Sequence, residues 1–131
     1  MRFFRLYIEK KTYFLILLFS SEEDMGTYAR GLFALLDQQE QCPRDFRAVT
    51  IDWKPKAHKT KWGVEAAQIL FCRKNLTPGL LAHELSHAIF CFLEQRGQRL
   101  TSKRVQETFC GLLDIAIQKS RSQLNRLEKQ R

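Results

Sequence analysis

His83 and His87 stand four residues apart, with Glu84 directly after the first, inside an apolar run from Leu80 to Leu93. The pattern is H-E-x-x-H. On a helix, residues four apart share a face, so both imidazoles can reach one divalent ion. Glu84 projects about 100° round from His83, where a carboxylate can reach a metal-bound water without ligating the metal. That is the chemistry of metal-assisted hydrolysis: zinc brings the pKa of its water towards neutrality and the carboxylate takes the proton. The plain alternative is a coincidental pair of structural histidines. The wheel argues against it, because Leu81, Leu85, Ala88 and Phe92 form one stripe roughly opposite the histidines. The histidines share their own face with Leu80, Phe90 and Glu94, a partly apolar surface suited to lining a cleft.

A catalytic zinc usually takes three protein ligands and one water. No histidine follows His87, and Phe90 and Leu93 occupy the glycine and third-histidine places of the longer H-E-x-x-H-x-x-G-x-x-H pattern. Glu94 lies about 10 Å further along the same helix, too far to close the site. The best remaining carboxylate is Glu107, on the next helix, with Cys110 and Gly111 beside it on the wheel permitting close helix approach. Asp114 shares that face and can orient a histidine through a hydrogen bond. Against this, Glu107 lies opposite the apolar stripe of its own helix, as an ordinary solvated glutamate does. Asp114 and Cys72 are the other candidates for the third position.

The segments LAHELSHAIF and ETFCGLL resemble the compact gluzincin-type metallopeptidases, especially the small ImmA/IrrE-like proteins common in phages and mobile elements. The resemblance spans about residues 76–117. It implies zinc held by His83, His87 and Glu107, Glu84 as general base, and a specific intracellular protein or peptide as substrate. Larger gluzincins carry an Asp four residues after the ligand Glu, where this chain has Gly111. The family's Tyr or His that stabilises the oxyanion has no motif match here; Tyr28 and His58 are candidates. A deformylase-like amidohydrolase, with Cys72 as third ligand, would need an E-G-C segment, and Cys72 sits in Leu70-Phe71-Cys72-Arg73.

The elements that must position this motif can be read in turn. Thr77 is a plausible N-cap for the motif helix, Pro78 suits its first position, and Gly97 stands where it should stop. Phe4, Leu6 and Ile8 alternate with polar neighbours as a half-buried strand, and the run Thr12–Phe19 reads as its antiparallel partner, buried on both faces. Ser21 caps a helix to about Gln39, with Tyr28, Leu32, Leu35 and Leu36 on one side. Val49, Ile51 and Trp53 alternate as another strand. Residues 54–61 read as a basic loop holding His58, which either touches the site or is simply exposed. A strand over Val64–Cys72 leads into the motif helix and is placed to form a cleft wall; as a sheet edge it would accept an extended peptide. A last helix starts at Thr101 or Ser102 and packs through Val105, Phe109, Leu112, Leu113 and Ala116. Its basic end is a solvated tip or a docking surface.

These elements predict an α+β fold over a single domain, residues 1–131. A small, mostly antiparallel sheet packs against the H-E-x-x-H helix and the C-terminal helix, a minimal zincin-like arrangement. With 131 residues and 44% hydrophobic content the chain can build a real core. The net charge of +8 allows nucleic acid or an acidic protein as partner and identifies neither. A non-catalytic basic protein- or nucleic-acid-binding domain is therefore the competing reading. Four separate cysteines without a C-x-x-C pair suit buried thiols in a reducing compartment. The basic N-terminus and the run Tyr13–Phe19 resemble a signal-peptide core, but no small-residue cleavage site follows and the run is too short to span a bilayer. The expectation is a soluble, cytoplasmic protein without membrane association.

Overall fold

The computed structural model describes residues 1–36, 48–52 and 58–129, apart from the side chains of Asp52 and His58. Its elements are β1 (Arg2–Tyr7), β2 (Thr12–Phe19), α1 (Glu22–Leu35), β3 (Ala48–Asp52), β4 (His58–Thr60), β5 (Gly63–Cys72), α2 (Pro78–Gln95) and α3 (Lys103–Lys129). The fold is α+β, with a mixed sheet of order β1-β2-β5-β3 and β4 pairing beside β3 on β5. β1 and β2 are antiparallel, as their patterns predict, with Phe4 opposite Ile16. β2 and β5 run parallel, while β3 and β4 are antiparallel to β5.

Both faces of this sheet are covered, which accounts for the continuous apolar runs in β2 and β5. On one face Phe14, Ile16, Ile69 and Phe71 pack against Leu81, Leu85, Ala88, Ile89 and Phe92 of α2. Val105, Phe109, Leu112, Leu113 and Ala116 bring α3 onto the same cluster. On the other face Leu17, Phe19, Leu70 and Cys72 meet Met25, Ala29, Leu32 and Phe33 of α1. Strand alternation sorts neighbours between the faces, so Phe71 faces α2 and Cys72 faces α1.

Three expectations change. First, β5 is central: its backbone bonds to β2 on one side and to β3 and β4 on the other, so it offers no edge for a peptide. Among the described strands, β3 is the edge beside α2. Second, the part of the 54–61 loop that is described forms β4, which turns through Lys61 and Trp62 into Gly63. Third, of the expected α1 stripe Leu32 is buried and Tyr28 and Leu36 pack beside it, with Met25, Ala29 and Phe33 completing the buried face, but Leu35 is 78% exposed. Ten residues after Met25, Leu35 points about 80° away from it on the wheel. The expected end of α1 near Gln39, and Trp53, lie outside the described residues.

A bulge positions two polar residues of β5. The register slips between Tyr13 and Phe14, so Ala66 and Ala67 both join the α2-side cluster. Glu65 and Gln68, three residues apart, consequently share a neighbourhood. Gln68 Nε2 donates to Glu65 (3.0 Å), and the Tyr28 hydroxyl donates to Gln68 Oε1 (2.6 Å). No helix among the described residues is long and apolar enough to cross a membrane.

Candidate metal centre

α2 forms where its local signals place it. Thr77 is extended and its hydroxyl accepts from the Leu80 N–H (3.1 Å), Pro78 takes the first position, and Gly97 adopts φ +73 just beyond the last turn. The buried stripe seats the helix on the sheet and leaves His83 and His87 exposed on the opposite side. Their rings cross at 82°, with centroids 4.6 Å apart. The two Nε2 atoms lie 3.1 Å apart. Two nitrogens on a tetrahedral zinc, each at about 2.05 Å, stand roughly 3.3 Å apart, so the pair is already spaced for one ion. The same spacing also fits an N–H···N bond between neutral rings of opposite tautomer.

Glu84 turns inward and is buried. A carboxylate oxygen of Glu84 and a nitrogen from each histidine all lie within 4.8 Å of one another. Burial raises the Glu84 carboxyl above its ordinary range, while His87 and then His83 pull the other way. A carboxyl so placed holds its proton more readily than an exposed one. Its backbone is anchored as well, since Thr50 Oγ1 of β3 donates to the Glu84 carbonyl (3.2 Å). Ser86 Oγ donates to the Ala82 carbonyl (2.7 Å), a helix-internal bond that leaves Ser86 no part in the cluster.

Among the described residues, the metal-ligating side chains brought together are those of His83, Glu84 and His87. Glu107 is exposed on α3 and stands outside this group. Val105, Phe109, Leu112, Leu113 and Ala116 face the core, and Glu107 projects from the opposite side of α3. Asp114 is exposed and pairs within its own helix, accepting from Gln118 Nε2 (3.5 Å). Cys72 lies on the α1 face of the sheet, which separates it from the histidines. Tyr28 is on that face too, bonded to Gln68, so it is removed as an oxyanion group. The His58 side chain lies outside what is described. Sequence reasoning missed Thr50, whose only signal was its outward place between Val49 and Ile51.

The chain was compared with protein-family models, curated proteins and solved structures, and none of the three comparisons found a match.

Proposed function

We propose that the chain is a zinc-dependent metallopeptidase acting on a specific intracellular protein, with a zincin-like arrangement of sheet and motif helix. The observation that carries this reading is the pair of exposed imidazole nitrogens 3.1 Å apart, with a buried carboxylate in the same cluster. Both histidines are exposed, and two imidazole nitrogens at that spacing fit zinc, with Glu84 beside them as the base rather than as a ligand. Bound there, zinc would polarise a peptide carbonyl and acidify water.

The chain's own residues carry the remaining roles. His83 and His87 fix the ion at the surface, where an extended chain can reach it. Glu84 accepts a proton from the attacking water and passes it to the leaving amine. Thr50 holds the Glu84 backbone against β3, so the base cannot drift as the proton moves. β3, the described edge beside α2, is where an extended substrate would add by main-chain hydrogen bonds.

The test is metal content and peptide cleavage in Glu84→Gln. The variant should keep one zinc per chain and lose cleavage. Unchanged cleavage would exclude Glu84 as the base. Absence of stoichiometric zinc in the parent, together with steeply salt-dependent binding to DNA or RNA, would favour the binding-domain reading that the +8 charge suggests.

A further inference from the structure

His83, His87, Phe90 and Glu94 fall within about 60° of one another on the α2 wheel, so the metal-binding face continues along the helix towards its C-terminus. At that end a groove of about 750 Å3 opens between α2 and the connection to α3. Phe90 and Glu94 line it from the helix, Arg99 and Leu100 from the connection, and Gln106 from the start of α3. Phe90 is 41% exposed and presents its ring to the groove as one apolar surface. Leu100 is half-buried against the core and supplies a second apolar surface.

The groove is braced rather than loose. Gly97 N–H donates to the Glu94 carbonyl (2.9 Å) and Gln98 N–H to the Leu93 carbonyl (3.0 Å), fixing the exit from α2. The Gln106 side chain donates to the Leu100 carbonyl (2.5 Å), fixing the far wall. Glu94 and Arg99 have no ion-pair partner among the described residues and form a polar rim around the apolar surfaces. An apolar concavity with a few polar groups and a preformed frame is the usual build of a side-chain pocket.

We infer that this groove is the subsite for one apolar side chain of an extended polypeptide substrate. This inference rests on the peptidase reading and adds a specificity determinant to it. From His87 to Phe90 and Glu94 is about 4.5 to 10.5 Å along the helix, at 1.5 Å per residue. An extended chain advances about 3.3 Å per residue, so the pocket receives a residue one to three positions from the bond cleaved. Phe90 and Leu100 offer an apolar side chain two walls to pack on, which glycine cannot use, and Glu94 and Arg99 stay at the rim.

The experiment uses amide NMR spectra of the zinc-free full chain, titrated with N-acetyl-leucinamide and, separately, N-acetyl-glycinamide. The leucine probe should give saturable shifts at Gly97, Gln98, Leu100 and Gln106, and the glycine probe should not. Phe90→Ser should weaken the leucine response by about tenfold. Phe90→Leu, which keeps an apolar wall, should retain most of that response; loss in both variants with an unchanged parent fold would place the binding elsewhere. Equal responses to the two probes, or leucine shifts centred elsewhere, would overturn the subsite. Neither probe needs zinc or cleavage, so that failure leaves the peptidase reading standing. Conversely, saturable leucine shifts on a protein that binds no zinc would overturn the peptidase reading and keep the groove as a binding site.

Discussion

Thr50 Oγ1 of the edge strand donates to the backbone carbonyl of Glu84, 3.2 Å away, in the middle of the H-E-x-x-H motif. A carbonyl inside a helix already accepts from the N–H four residues on, so this second bond serves position more than satisfaction. It ties β3, the strand that would receive an extended substrate, to the residue that would move the proton. Thr50→Val keeps the β-branched shape and removes the donor. It should cost about 1 kcal/mol by urea denaturation, leave the far-UV circular dichroism unchanged, and lower zinc affinity less than tenfold. A loss as large as that from removing a histidine would give Thr50 a ligand-like role instead.

Metal content separates the ligands from their neighbours. His83→Ala and His87→Ala should each weaken zinc binding by more than about a hundredfold, beyond the 10–100-fold typical of groups that only orient a ligand. Glu107→Ala should retain zinc, because Glu107 is exposed and outside the cluster of ligating atoms. Loss of the ion in that variant, read by competition with a chromophoric chelator, would mean that α3 turns its exposed face towards α2 when zinc binds.

The difference between the histidines and Glu107 also marks how far the sequence was legible. The motif is local: spacing of four on a helix fixes the face, and Thr77, Pro78 and Gly97 fix the helix. The apolar stripes of α2 and α3 and the β1–β2 pairing follow from periodicity in the same way. Glu107 needed the face of α3 opposite its apolar stripe to meet α2, and the stripe itself packs inward instead. β5 is central because β2, β3 and β4 come to it from different parts of the chain, and pairing partners are not written in a strand's own residues. In α1 the expected Tyr28, Leu32 and Leu36 do pack, and Leu35 alone does not, because Leu35 and Leu36 are both apolar and packing on Leu17 and Phe19 decides between such neighbours. The bulge at Ala66 left no trace beyond two adjacent alanines.

Gly63 is held by a backbone constraint rather than by packing. It adopts φ +128 at the start of β5, and a Cβ there would collide with the Lys11 carbonyl. The Val64 N–H donates to that same carbonyl (2.6 Å), so the chain cannot back away without losing the first bond between β5 and the β1–β2 turn. Gly63→Ala should therefore destabilise the fold by more than about 1 kcal/mol in urea, whereas Gly31→Ala, on an open helical surface, should be neutral or mildly stabilising. Equal effects at the two positions would show that the β5 start relaxes freely.

Glu84 makes stability depend on pH in the direction opposite to most carboxylates. Burial raises its pKa in the folded chain above the ordinary value of 4.5, the histidines only partly offsetting this. As pH climbs past that ordinary value, the unfolded chain loses the Glu84 proton before the folded chain does. The folded state then binds more protons, so its stability falls with rising pH until the folded group also ionises. Glu84→Gln removes this dependence. The metal-free variant should melt above the metal-free parent between about pH 6 and 8, and the gap should close as pH falls below 4.5. Thermal melts in excess chelator measure it, since bound zinc would add its own proton linkage. A gap that instead widens towards low pH would mean that Glu84 is stabilised as the anion, held by the two imidazoles more strongly than burial opposes it.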